Sequence, residues 1–126
     1  MTREELVAKY GLDSRNVEPP EGWLQLVAEL LDSLAKLPGW AHSSVVQIKE
    51  KFGGLRFYYD GGSADYEEAN HIIALAEQRS WSLCQKCGAE GAKQVNVKRG
   101  WSLKTPPGPG PICTLCKACA AAEEAT

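Results

Sequence analysis

Apolar positions recur along this chain with two different periods, and each change of period marks an element. Between Glu21 and Lys36, the residues Trp23, Leu26, Val27, Leu30, Leu31 and Leu34 return at three- and four-residue steps. Gln25, Glu29, Asp32, Ser33 and Lys36 fill the other side. That spacing predicts an amphipathic helix with one buried stripe. Pro19-Pro20 prepares its first turn and Pro38-Gly39 stops it. Tyr66, Ala69, Ile72, Ile73 and Ala76 form a second stripe, for a helix that Ser63 is expected to cap. Asp65, Glu67 and Glu68 suit the positive end of its dipole, and Arg79 the negative end. A short helix comes first: Thr2 and Glu5 form a capping box, Met1 and Leu6 are placed as its staple, and Gly11 ends it.

The period falls to two at Gln47–Asp60, QIKEKFGGLRFYYD, which reads as a β-hairpin. Gly53-Gly54 is the expected two-residue loop, since such loops need positive φ. Phe52 then faces Leu55, Lys51 faces Arg56, Glu50 faces Phe57 and Ile48 faces Tyr59. Side chains alternate between faces along a strand. One face therefore carries Ile48, Glu50, Phe52, Leu55, Phe57 and Tyr59, apolar except for Glu50 and expected under the long helix. The other carries Lys49, Lys51, Arg56 and Tyr58. Setting Lys51 across from Arg56 costs a little, because like charges opposite one another repel. Two readings of this basic face stay open: a solvated surface that blunts aggregation, or a seat for an anion or an acidic partner.

Further chemistry lies in five cysteines. Cys84-Gln85-Lys86-Cys87-Gly88 is a zinc knuckle, and a second cluster follows at Cys113, Cys116 and Cys119. More than twenty residues separate Cys87 from that cluster. The gap suits a hairpin between knuckles, with short strands at 94–98 and 101–104. Pro106 to Pro111 reads as an extended linker or exposed loop. Two CxxC pairs point to one Zn²⁺ in a closed, structural, four-thiolate site. Because Cys113 follows so closely on the stiff proline run, Cys84, Cys87, Cys116 and Cys119 are the preferred ligands. Cys113 with Cys116 is the alternative second pair.

The 126 residues suffice for one domain with a small module, and the fold class is α+β. Residues 1–82 form the core, helices packed on a central antiparallel hairpin. Residues 83–119 form the zinc-ribbon-like module, and 120–126 a frayed tail. A net charge of −2 and a pI near 5.7 give no global signature for nucleic acid. No run of about 20 apolar residues suggests a membrane span, and the start does not read as a signal peptide. The expected location is the cytoplasm, where disulfides rarely persist.

The string QIKEKFGGLRFYYDGG, an Ala/Glu-rich helix, CxxCG, Gly100-Trp101 and the closing Thr114-Leu115-Cys116-Lys117-Ala118-Cys119 together resemble a known group. They are similar to small zinc-binding proteins of unknown function encoded by bacteriophages and prophages, from about Gly22 to Cys119. The Pro/Gly run after Thr105 departs from that pattern. The resemblance implies a metal site, a bacterial host cell and a phage or prophage origin, and it supplies no activity. It also favours Cys116 and Cys119 as the second ligand pair.

Two functions from different classes fit. The first is an interaction protein whose partner is a host or defence protein. The second is a nucleic-acid binder using Lys49, Lys51, Arg56 and Tyr58, extended by Arg99 and Trp101 on the ribbon. No enzyme is expected. A zinc deaminase needs an H-x-E partner for its cysteines, but His42 is followed by Ser43-Ser44 and His71 by Ile72-Ile73.

Overall fold

The computed structural model describes residues 1–61, 65–99 and 108–123, and the side chains of all of these except 98, 99, 108 and 109. Helix α1 (Arg3–Tyr10) starts at the Thr2–Glu5 capping box and ends at Gly11, whose φ of 63° is left-handed. A 3₁₀ turn at Glu21–Trp23 leads into α2 (Leu24–Ala35). A second turn, Pro38–His42, leads to strands β1 (Ser44–Lys51) and β2 (Gly54–Asp60), which pair antiparallel. Helix α3 (Tyr66–Ser80) follows. Beyond it, β3 (Lys93–Arg99) and β4 (Gly108–Leu115) form a second two-stranded antiparallel sheet, and α4 (Lys117–Ala122) closes the described chain. The architecture is α+β, with helices packed against two small sheets.

The α2 stripe is buried throughout, and it shares one core with Leu6, Val17, Ile48, Leu55, Phe57, Ile73 and Leu83. Helix α3 lies beside β2 and against α2. Its polar side chains finish the outer edge of β2. Leu55 N–H donates to Ser80 Oγ at 2.9 Å, and Phe57 N–H donates to Glu77 Oε2 at 3.0 Å. On the opposite edge, Glu18 N–H donates to the Ile48 carbonyl at 2.8 Å. Both edges of the hairpin are thus covered, which protects it from pairing with other chains.

The hairpin turn differs from the expected one. Its central residues are Phe52 (φ 54°) and Gly53 (φ 89°), while Gly54 belongs to β2. Lys51 therefore pairs with Gly54, Glu50 with Leu55, Lys49 with Arg56 and Ile48 with Phe57. Relative to the expected pairing, each residue's partner moves by two. A two-residue slip preserves the faces, whereas a slip of one would exchange them. The apolar and basic faces thus keep their other members, but Phe52 leaves the apolar face for the tip and stands 62% exposed. The like-charge pair is Lys49 with Arg56, not Lys51 with Arg56. A bulky residue in the left-handed region costs about 1–2 kcal/mol. Tertiary contacts set this turn: a side chain on Gly54 would sit 2.4 Å from Trp81 Cζ2. Glu50, the misfit of the apolar face, accepts a hydrogen bond from Gly53 N–H at 2.8 Å.

Other expectations change or fall outside the described residues. Ser63 lies outside the described residues. Asp65 occupies the position before α3, and its carboxylate accepts from Gly39 N–H at 2.6 Å rather than capping the helix. The strand expected at 101–104 also lies outside the described residues. The partner of β3 is Gly108–Leu115, so the end of the proline-rich run is strand rather than linker. In a two-stranded sheet each strand has one edge that faces away from its partner, where proline is tolerated. Helix α4 takes in the first three residues of the expected tail.

Candidate metal centre

Cys84 and Cys87 sit on a tight loop after α3. Cys84 N–H donates to the Ala89 carbonyl and Gly88 N–H to the Cys84 carbonyl, both at 2.9 Å. The loop can close because Gly88 adopts φ 80°. It is seated on the start of the long helix: Gly22 N–H donates to the Gln85 carbonyl at 2.7 Å. A side chain on Gly22 would meet the Cys84 carbonyl oxygen at 2.1 Å, so only glycine permits this approach. Trp23 Nε1 reaches under the same loop and donates to the Leu83 carbonyl at 2.8 Å, fully buried.

Cys116 and Cys119 arrive from the other side. Cys116 is the N-cap of α4, its sulfur accepting from Cys119 N–H at 3.4 Å. Thr114 anchors this strand end to the core. Its Oγ1 donates to the Gly53 carbonyl at 2.5 Å, and its own carbonyl accepts from Gln85 N–H at 2.8 Å. Lys86 and Glu123 form an ion pair that ties α4 back to the first loop.

These two ends bring the sulfurs of Cys84, Cys87, Cys116 and Cys119 within 4.8 Å of one another. The Cys87 and Cys116 sulfurs are 3.7 Å apart. Zn–S bonds of about 2.3 Å in a tetrahedron set neighbouring sulfurs about 3.8 Å apart, so the donor set fits one zinc ion. Cys84 is buried, Cys116 and Cys119 are half-buried, and Cys87 is exposed.

The thiol shifts record how crowded these sulfurs are. Burial pushes the Cys84 thiol up, but N–H groups of Cys116, Cys87 and Lys86 with the Cys87 side chain outweigh it, and the pKa falls to about 6. Cys119 is pushed up to about 12 by the Cys116 and Cys84 sulfurs together with burial. At Cys87 the Ala89 N–H favours the thiolate, yet Cys116 and Cys84 raise the pKa overall. Four sulfurs this close resist ionising together. A dication between them reverses that balance, since metal-bound thiols are deprotonated.

Cys113, the alternative ligand, stands apart from this group. It lies on β4 opposite Val95, half-buried in the module's small apolar cluster, and burial with the nearby Glu50 charge raises its pKa. His42 and His71 are exposed and belong to no cluster of metal donors among the described residues.

Lys49, Lys51, Arg56 and Tyr58 share the outer face of the hairpin. Lys49 Nζ lies 5.9 Å from the Tyr58 ring centre, and Lys51 Nζ 5.5 Å from that of Phe52. Arg99 ends β3, but its side chain lies outside the described residues, as does all of Trp101. Trp81 and Leu83 are the residues expected from the sequence to fix the module to the core, and Trp81 does lie between Gly54 and Gln94. Gly22, Gln85 and Thr114, which also join the two halves, carry no local sequence signal for that role. No described helix is long and apolar enough to cross a membrane. Comparison of the chain with protein-family models, curated proteins and solved structures found no match.

Proposed function

We propose that this chain is a non-catalytic protein-interaction module whose fold is completed by one structural zinc ion held by Cys84, Cys87, Cys116 and Cys119. The carrying observation is the closure of the cluster. Four sulfurs from the chain itself fill a tetrahedral shell, leaving an ion no position for water or substrate. The ion's contribution is to bind the two ends of the module together and hold them against the core. Resemblance to small phage-type zinc-binding proteins supports a setting in the bacterial cytoplasm, with a host or defence protein as partner.

The second reading, nucleic-acid binding, is favoured by the cations lying beside Tyr58 and Phe52, since interleaved rings and charges suit stacked bases and phosphates. Lys49, Lys51, Arg56 and Tyr58 would make that surface, with Arg99 and Trp101 extending it.

Metal analysis is expected to find one zinc per chain, and a cobalt-substituted sample to show four thiolate ligands. An exchangeable water on cobalt would overturn the structural role. Affinity capture from bacterial host lysate, with zinc retained, should recover a specific protein. Repeated failure to do so removes the interaction reading. A salt series with pools of DNA and RNA tests the second, because phosphate contacts make affinity fall steeply as salt rises.

A further inference from the structure

Five cations outside the hairpin hold a carboxylate: Arg3 with Glu4, Arg15 with Asp13, Lys36 with Asp32, Arg79 with Glu29 and Lys86 with Glu123. As with Lys9, Lys93 and Lys117, no such partner among the described residues is held by Lys49, Lys51 and Arg56, which are set apart by sharing one face. They also sit where they repel one another. Lys49 is directly opposite Arg56, and Lys51 is its diagonal neighbour. Arg56 Nε is buried and makes no hydrogen bond.

Apolar side chains border the same face. Gly54 shares it with Arg56 and Tyr58, and the Trp81 ring fills the space that a Gly54 side chain would take. Trp81 is 40% exposed and Tyr58 43%. Phe52 projects from the tip in a left-handed conformation that favours glycine, and no burial compensates for it. An outlier of this kind points to a role outside the free molecule's own packing. The platform is already rigid, with both strand edges bonded and the tip held by Thr114. Binding to it therefore costs little ordering.

We propose that the outer face of the β1–β2 hairpin docks a short acidic segment of a protein partner, whose carboxylates meet Lys49, Lys51 and Arg56 and whose apolar side chain meets Phe52 and Trp81. This rests on the interaction-module reading. Charge selects the occupant. The chain as a whole carries −2, which offers a long polyanion no net attraction. A short segment meets only the local field, because screening at physiological salt acts over about 8 Å.

The test is selection from a random dodecapeptide display library on the zinc-loaded full chain, followed by affinity measurements on the enriched peptides and on oligo(dT). Enriched peptides should be acidic and carry an aromatic or branched apolar residue. The Lys49→Glu/Lys51→Glu double variant should weaken them roughly tenfold or more. Phe52→Gly should weaken them to a similar degree while the melting temperature holds or rises, because glycine takes positive φ freely. A residue that served only the fold would not separate binding from stability in this way. Peptides that lack acidic character, or that bind both variants like the parent, overturn this surface and leave the module reading standing. Binding of oligo(dT) alone, lost in the charge-reversal variant, replaces both with nucleic acid. Binding of neither probe overturns the acidic dock, while a partner captured in lysate would still uphold the module.

Discussion

Seventeen buried apolar residues, from Leu6 to Leu83, form the core cluster, whereas the module's cluster among the described residues has three: Cys84, Ala92 and Leu115. Apolar burial is the main favourable term set against the entropy of ordering a chain. The core draws on it heavily. The described residues of the module draw on it little, so their arrangement depends on cross-links: the cysteine cluster at one end, and the seams to Gly22, Trp23 and Gly53. The two regions solve the same entropic problem with different chemistry, and each is vulnerable to a different perturbation.

The strongest perturbation is removal of the ion. Structural zinc sites are worth about 10–16 kcal/mol, so a chelator should strip amide-exchange protection from β3 and β4 while α2 keeps most of its own. Falling pH should act in the same direction, since protons compete for the thiolates. Equal loss of protection in α2 would make core and module one cooperative unit and end the contrast.

The converse variant is Leu31→Ala, in the centre of the core. A cavity there is expected to cost about 2–5 kcal/mol in urea denaturation, with zinc stoichiometry unchanged. Zinc loss from this variant would mean that the module needs an intact core to hold its metal.

Gly22→Ala tests the seam. Its methyl would meet the Cys84 carbonyl oxygen at 2.1 Å, and overpacking of this kind costs about 1–3 kcal/mol. Because the clash falls on a ligand residue, zinc affinity measured against a chromophoric chelator should drop as well. Unchanged affinity would show a seam soft enough to yield.

The smallest effect is expected at the surface. Glu29→Gln breaks an exposed pair with Arg79 at 3.4 Å. It should shift stability by about 0.2–1 kcal/mol at most, with no change in zinc binding.

Legibility followed the range of the interaction. The α2 stripe could be read because its 3.6-residue period is local, and all six of its apolar positions are buried. The four-cysteine cluster could be read because thiolate chemistry narrows the choices. The faces of the hairpin survived an error in its register because that error was an even one. The turn itself was not legible. Gly53-Gly54 satisfies the local rule for a tight loop, but Gly54 is needed in the strand, beneath a tryptophan whose position is fixed by α3. β4 was obscured by prolines, which local rules assign to a linker. Asp65 suited the helix dipole locally, yet its carboxylate accepts from Gly39 N–H across the fold.

Thr114 has a consequence that reaches beyond packing. It stands two residues before Cys116, holds the hairpin tip through Gly53, and is itself held by Gln85, the neighbour of Cys84. The tip and the cysteine cluster therefore share one mechanical path. By thermodynamic reciprocity, whatever factor zinc adds to a partner's grip on the tip, the partner must add to the grip on zinc. Where that factor exceeds one, a ligand at Phe52 would tighten the hold on metal by sulfurs that it never touches, and a chain short of zinc would hold its partner less tightly.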